Sequence, residues 1–427
     1  MENTSSFETK NWAGRFFTIW TGQAFSLFGS SLVQFALVWW LTQKTGSATV
    51  LATSTMAALL PQIILGPFAG ALVDRWNRRA IMIVADATIA LATVLLVYLF
   101  ATDQIQVWHI YIIAAIRSLG GAFHHPAMTS STSLMVPEKH LARVAGANQT
   151  LQGLINIFAP PLGALLLELF STQNVLLIDI GTAMSAILPL LFIPIPQPPR
   201  QALQANGTVG KTSYWHDLRE GLAYVVRWKG LSGLIILAML LNFLLVPSSS
   251  FLPLVITKIF NGSASELGWA ESLFGAGIIA GGITLSVWGG FKRRIVTSFS
   301  GIIGIGLGIV LVGFVPANMF YLLLTANLLV GFAQVFANGS LMAIMQSTVT
   351  PDMQGRVFSL LMAGATAMMP LSLLIAGPVS DKFGIRFWYI FGGALCILMT
   401  IASTFVPAIM NIEKNHNEAQ TPPIPQQ

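Results

Sequence analysis

Residues 80–101 read AIMIVADATIALATVLLVYLFA, twenty-two positions with one charged side chain, Asp86. Crossing the hydrocarbon core of a bilayer takes about 20 predominantly apolar residues as helix. Lipid offers no water to the backbone, so a run of this kind closes its hydrogen bonds within itself and must be helical. Eleven similar runs accompany it, and the twelve spans fall near 16–41, 48–73, 80–101, 107–128, 146–170, 174–195, 231–257, 266–290, 295–316, 318–345, 356–380 and 386–409. The alternating short segments of a transmembrane barrel are not seen. The expected fold class is an all-α integral membrane protein with twelve transmembrane helices.

Composition agrees. The chain has 427 residues, 54% hydrophobic and 9% charged, with a mean hydropathy of +0.72; soluble domains carry roughly 25% charged residues. The excess of 22 Lys and Arg over 16 Asp and Glu is spread as punctuation between apolar runs, which speaks for membrane orientation and against a nucleic-acid partner. With the N-terminus inside, 17 of those 22 cations fall in inner segments and 4 in outer ones, leaving Arg117 within a span. The positive-inside rule then puts both termini in the cytoplasm and makes the number of spans even. A lone cysteine, Cys396, builds neither a disulfide framework nor a Cys-based metal site. Met1 to Trp12 is polar, and the run after it is too long for a signal-peptide core, so the segment is read as retained.

The longest polar interruption divides the chain in two. The expected organisation is an N-terminal segment 1–15, a six-helix bundle 16–196, a cytoplasmic linker 197–230, a second six-helix bundle 231–409 and a cytoplasmic tail 410–427. Pro137-Glu138 with Ala142-Arg143-Val144 recurs as Pro351-Asp352 with Gly355-Arg356-Val357, offset by 213 to 214 residues, and Arg78-Arg79 recurs as Arg293-Arg294, offset by 215. Half the chain is about that length, so a duplicated six-helix unit is the economical reading. Two parallel halves with a substrate site near the midplane form a known transporter plan.

After the second span comes Gly70-Ala71-Leu72-Val73-Asp74-Arg75-Trp76-Asn77-Arg78-Arg79. It resembles the loop signature of the major facilitator superfamily, Gly-x-x-x-Asp-Arg-x-Gly-Arg-Arg, departing at Asn77. Gly70 would allow close helix packing, and Asp74 could face the positive N-terminal end of another helix, the eleventh span near Arg356. That contact, with Arg75, Arg78 and Arg79, reads as a conformational latch; plain positive-inside anchoring accounts for the arginines but not for Asp74. The second-half loop Gly289-Gly290-Phe291-Lys292-Arg293-Arg294 keeps the bases and lacks the acid.

The fourth span carries Arg117-Ser118-Leu119-Gly120-Gly121-Ala122. An arginine at mid-membrane costs roughly 2.5–3.5 kcal/mol on insertion scales, so it should face protein and have a partner. It resembles the superfamily's fourth-helix motif, in which the arginine is associated with proton coupling; a structural arginine is the alternative. In the fifth span, Ala159-Pro160-Pro161-Leu162-Gly163-Ala164 resembles the antiporter motif, with alanines for two glycines, and Pro160, Pro161 and Gly163 suit a hinge. Acidic residues within the spans are Asp86, Glu168, Asp179 and Glu271. Glu168 and Asp179 stand near a span end and read as interfacial, whereas Asp86 and Glu271 stand deeper and read as proton carriers. Gly207-Thr208-Val209-Gly210-Lys211-Thr212 is too short for a phosphate-binding loop and reads as linker. His124 and His125 point apart on a helix, and no metal site is expected.

Trp20-x-Gly22-Gln23-Ala24-x-Ser26-Leu27, Gln34 and Leu41-Thr42-x-Lys44-Thr45-Gly46-Ser47-Ala48 are similar to the bacterial macrolide efflux group of that superfamily, the Mef-type drug:proton antiporters. The likeness continues through Ile116-Arg117-Ser118, Ala122-Phe123-His124 and Gly355-Arg356-Val357-Phe358-Ser359-Leu360 to Asp381-Lys382 with Gly384. The resemblance implies a bacterial inner-membrane exporter of 14- and 15-membered macrolides in exchange for protons, working by alternating access. A macrolide is a large apolar ring with a protonated amino sugar, suited to aromatic, methionine and amide side chains. Gln23, Ser26, Gln34, Trp39, Asn242, Phe243, Asn327, Gln334, Asn338, Met362, Met368 and Met369 are the candidate contacts. No cofactor, metal or enzymatic activity is expected, since no nucleophile, base and oxyanion-donor set emerges. The expected partners are the drug, protons and the bilayer, the protein being a monomer, with a cytosolic resistance partner left open. The alternatives are a same-fold exporter of a siderophore or lipid, a membrane enzyme and a non-transporting receptor.

Overall fold

The computed structural model describes residues 11–73, 75–197 and 214–413, and among these every regular element is helical. The helices are α1 (Trp12–Thr45), α2 (Ala48–Val73), α3 (Arg78–Ala101), α4 (Val107–Met135), α5 (Glu138–Leu169), α6 (Thr172–Phe192), α7 (Tyr214–Arg227), α8 (Lys229–Ser250), α9 (Leu252–Phe260), α10 (Ala264–Trp288), α11 (Arg294–Phe314), α12 (Phe320–Thr348), α13 (Pro351–Phe383), α14 (Ile385–Thr404) and α15 (Pro407–Met410). Twelve of them have 20 residues or more, and eleven of these contain a stretch long and apolar enough to cross a membrane. The twelfth, α4, carries Arg117, His124, His125 and a run of hydroxyl residues from Thr129 to Ser133. The protein is thus an all-α, multi-pass membrane protein. Its outward faces bear Leu91, Phe192, Ile283, Val287 and Leu398, all more than half exposed, as expected where lipid replaces water.

Several boundaries differ from those expected. The seventh span breaks at Phe251 into α8 and α9. Pro253 has no N–H to give to the carbonyl four residues back, so the ladder stops there and restarts; Phe251 N–H closes the first piece on the Pro247 carbonyl at 2.9 Å. The stretch expected as linker contains α7, where Gly221 lets the helix approach Arg356 and Leu360 of α13. The 197–230 stretch otherwise falls largely, and the 207–212 segment wholly, outside the described residues, as do most of the N-terminal segment and most of the tail. Asn77, the departure from the loop signature, caps α3, its side-chain oxygen accepting from Ala80 N–H at 3.1 Å. An amide that satisfies an orphan helix donor is a local reason for that residue.

The chain divides into two compact units, Met1–Thr45 with Thr53–Val209, and Gly46–Ala52 with Gly210–Gln427. In the first, α1 packs on α5 and α6, and α3 on α4 and α6. In the second, α8 packs on α13 and α14, and α11 on α12 and α14, the same four pairings one repeat later. Side-chain contacts repeat as well. Arg78 donates its backbone N–H to Gln197 Oε1 and its guanidinium to the Ser130 carbonyl; Arg294 donates its backbone N–H to Glu413 Oε1 and its guanidinium to the Ala343 carbonyl. These pairs are 216 residues apart (294 against 78, 413 against 197), so structurally Arg78 matches Arg294, one residue off the alignment of the double arginines.

Small residues bring the helices of the second unit together, as membrane packing requires. A Cβ at Gly277 or Gly281 of α10 would run into the Leu328 or Phe332 carbonyl of α12, and one at Gly331 into the Phe274 carbonyl. Gly304 and Gly308 of α11 likewise face Ala333 and Val330. Gly70 does not behave so: a Cβ there would meet nothing within 4 Å, and the close packing expected of it is absent among the described residues. We predict that Gly331→Leu lowers the melting temperature of the purified protein, by the roughly 1–3 kcal/mol typical of overpacking, while Gly282→Ala, which faces open space, leaves it unchanged or raises it.

Candidate functional site

Inside the first unit, ionisable and polar side chains gather in two layers. In one, Gln23 of α1 donates from Nε2 to Asp86 Oδ2 of α3 at 2.9 Å, and His124 Nε2 of α4 stands 3.4 Å from Asp86 Oδ1. This last is an ion-pair distance, with no formed hydrogen bond to His124 Nε2. In the other layer, Arg117 Nη1 meets Asp179 Oδ2 at 2.7 Å and also donates to the Thr93 hydroxyl. Thr93 donates to Asp179 Oδ2 at 2.8 Å, and Ser30 to Asp179 Oδ1 at 3.0 Å. Both Asp179 oxygens are engaged, and its side chain is 1% exposed.

Helical spacing explains why these groups meet. Gln23 and Ser30, Asp86 and Thr93, and Arg117 and His124 are each seven residues apart on α1, α3 and α4. Seven residues make about two turns, or about 10 Å of rise, so three helices cross the same two levels with the same face. The layers differ in charge logic. Arginine stays protonated in any accessible state, so the Arg117–Asp179 layer is a fixed ion pair. Imidazole can gain or lose a proton, so the Asp86–His124 layer can change its charge.

Asp179 had been expected at an interface, five residues into its span; its helix turns that face toward α1 and α3, and it is the partner that Arg117 requires. His124, set aside as a metal ligand, belongs to the other layer, while His125 is exposed. Gln23 is committed to Asp86 instead of standing free. Trp39 is buried, and Asn242 and Asn327 each donate to a carbonyl one turn back, at 2.9 and 3.0 Å. Ser26, Phe243, Gln334, Met368 and Met369 are half-buried; Gln34, Asn338 and Met362 are exposed. Glu271 lies half-buried on α10 beside the glycines of that helix. Among the described residues it makes no hydrogen bond or ion pair.

Of the loop after α2, Asp74 lies outside the described residues. Arg75 is exposed, and Arg79 donates to the Leu190 and Leu191 carbonyls, the orphan acceptors at the C-terminal end of α6. In the second unit Arg356 pairs with Glu220 of α7 at 3.1 Å, an exposed contact of small energetic weight. Pro160 and Pro161 lie within an unbroken α5, and Gly163 packs against Phe35.

One acid escaped the sequence reading. Asp381, near the C-terminal end of α13, accepts from the N–H groups of Ala48 and Thr49 and from the Ser47 hydroxyl, at 2.7, 3.0 and 2.7 Å. It thereby clasps the first turn of α2, where the helix dipole favours an anion. The signal was present: Gly377-x-x-x-Asp381-Lys382-x-Gly384-x-Arg386 repeats the spacing of Gly70-x-x-x-Asp74-Arg75-x-Asn77-x-Arg79. Gly377 closes against Thr49 and Ala52.

Comparison with known proteins shows the family and the fold. The Major Facilitator Superfamily profile matches residues 19–368 and 247–425. Macrolide efflux protein A of Streptococcus pyogenes is 32% identical over 405 residues, covering 94% of this chain and 98% of that protein. Macrolide efflux protein A of Enterococcus faecalis is 32% identical over 330 residues, 77% of this chain and 100% of that protein. The multidrug efflux pump Tap of Mycolicibacterium fortuitum is 26% identical, covering 90% and 94%. Among solved structures, the nucleoside transporter NupG aligns with a TM-score of 0.72 at 15% identity, covering 92% of this chain and 99% of that one. A bacterial homologue of ferroportin, inward-facing, gives 0.69 at 15%, with the same coverage; both show the fold alone.

The fixed pair makes a stability prediction. Asp179→Leu or Arg117→Met alone leaves a buried charge unmatched and is expected to cost about 3–5 kcal/mol, whereas replacing both recovers most of it. Thermal melts of the three variants check this; a double variant no more stable than the singles contradicts the pairing.

Proposed function

Because the chain belongs to the Major Facilitator Superfamily, we propose that it exports amphipathic drugs, 14- and 15-membered macrolides foremost, in exchange for protons by alternating access across the bacterial inner membrane. Carrying this reading is the pair of polar layers buried in an apolar helical unit, in a chain related over nearly its whole length to macrolide efflux proteins. Ionisable groups at membrane depth are retained where they line a transport path.

The roles divide as follows. Asp86 in the first unit and Glu271 in the second are the acids of the two proton sites, and Arg117, paired with Asp179, is the fixed charge next to the first. Gly70, Asp74, Arg75, Arg78 and Arg79 latch one conformation at the cytoplasmic face, and Pro160, Pro161 and Gly163 give α5 its hinge. The half-buried and exposed polar and methionine side chains take the drug: Ser26, Gln34, Asn242, Asn327, Gln334, Asn338, Met362, Met368 and Met369, with Phe243. Gln23, bonded to Asp86, and the buried Trp39 complete the candidate set. A carboxylate that binds either a proton or the drug's ammonium makes each weaken the other reciprocally, and that exclusion couples inward proton movement to outward drug movement. Both termini lie in the cytoplasm, and the unit of transport is the monomer.

The test is flux of radiolabelled erythromycin in proteoliposomes with an imposed pH gradient. Accumulation that follows the gradient and collapses with a protonophore is expected. Labelled drug that never exceeds its equilibrium level, or is not displaced by unlabelled macrolide, would falsify the substrate assignment. Glu271→Gln is expected to lose gradient-driven uptake while keeping drug-for-drug exchange; unchanged gradient-driven uptake removes Glu271 from the proton path.

A further inference from the structure

The two layers of the first unit are built from the same three helices at the same spacing, yet only one contains a pair that can change its charge. Asp179 has its oxygens taken by Arg117, Thr93 and Ser30. Asp86 has one oxygen held by the Gln23 amide, and the other faces His124 Nε2 at 3.4 Å. That nitrogen is buried and makes no hydrogen bond; it stands at ion-pair distance from the carboxylate, longer than the roughly 2.7–3.2 Å of a formed N–H···O bond. A buried nitrogen without a partner is costly, and an imidazolium there is drawn to the carboxylate by charge, so protonation favours closing the gap between the two groups.

We infer that His124 and Asp86 form the exchangeable proton site of the first unit, with Gln23 fixing the carboxylate and His124 acting as its proton-bearing partner. The inference deepens the proposed antiport and rests on it. In the loaded state a proton taken from water resides on His124 Nε2, and imidazolium and carboxylate form a closed pair with no net charge. In the unloaded state the proton has returned to water, leaving a neutral imidazole beside a carboxylate with one open oxygen, which attracts the ammonium of a drug. One proton out and one cation in leaves the charge of the layer unchanged.

The surroundings of His124 support a local exchange. Helices α1, α3 and α5 pack on α4. From α3 the charged group facing His124 is Asp86, and from α1 the Gln23 amide reaches the same carboxylate; the charged residues of α5 are Glu138, Lys139, Arg143 and Glu168, with His140 titratable as well. On α4 itself Arg117 lies two turns away, neutralised by Asp179. The layer of Arg117 and Asp179 is then the fixed element, and the layer of His124 and Asp86 the one that cycles.

The experiment is equilibrium binding of radiolabelled erythromycin to the purified full-length protein between pH 5 and 8. One proton displaced per drug bound makes affinity rise by about tenfold per pH unit while the site is loaded. Wild type is expected to show that slope and to lose it in His124→Gln and Asp86→Asn, with His124→Gln still binding drug. His125→Gln, one position along on the exposed face, is expected to keep it. A second variant, His124→Lys, places a permanent cation opposite Asp86 and is expected to bind weakly at every pH. Overturning results are a wild-type slope in His124→Gln, or a slope in His124→Lys. Loss of binding at all pH values in both His124 variants, with the melting temperature unchanged, also overturns it. Wild type that binds no macrolide sinks the proposed transport itself, which separates that failure from a failure of the pair.

Discussion

A charged side chain inside hydrocarbon must be compensated, and the first unit is arranged around that requirement. Asp179 is compensated completely, by a guanidinium and two hydroxyls, and Asp86 only partly, by an amide and an imidazole at ion-pair distance. The difference lies in the partner on α4. Arginine gives a pair that cannot be discharged, and histidine gives one that can. Had both partners been arginine the layers would only hold the bundle together; had both been histidine nothing would fix the electrostatic reference between them.

The packing of the helices follows from the same medium. Without water to drive apolar surfaces together, helix association relies on close approach of backbones, and the glycines of α10, α11 and α12 permit it where a Cβ would strike a carbonyl. The helix ends are treated in a repeated way: an amide or carboxylate 119 residues further along the chain, Gln197 or Glu413, caps the N-terminus of α3 or α11. Asp381 does the same for α2 from a distance. Termini that would otherwise expose donors are closed by acceptors from elsewhere in the chain.

The fold was legible because apolar run length is a one-dimensional property. Residues 80–101 announce a span without reference to any neighbour, and Arg117 announces that it needs a partner. The identity of that partner was not legible, because Asp179 lies five residues into its span and only the rotation of α6 against α1 and α3 decides whether it faces lipid headgroups or the interior. His124 was obscured by its neighbour: an adjacent pair of histidines reads as no site at all until the facing helix supplies Asp86. The seventh span was read as continuous since its composition is apolar throughout; the missing N–H of Pro253 interrupts it without altering hydropathy. The seven-residue spacing shared by Gln23 and Ser30, Asp86 and Thr93, and Arg117 and His124 is visible in the sequence only once one knows which three helices face one another.

The division between a fixed layer and an exchanging layer is open to direct spectroscopic observation. Infrared difference spectra recorded on adding macrolide, compared among wild type, Asp86→Asn and Asp179→Asn, report which carboxyl group changes its protonation or hydrogen bonding. The account predicts a carboxyl signal that vanishes in Asp86→Asn and persists in Asp179→Asn, accompanied by an imidazole signal from His124. A signal that belongs to Asp179 instead, with Asp86 silent, would contradict it.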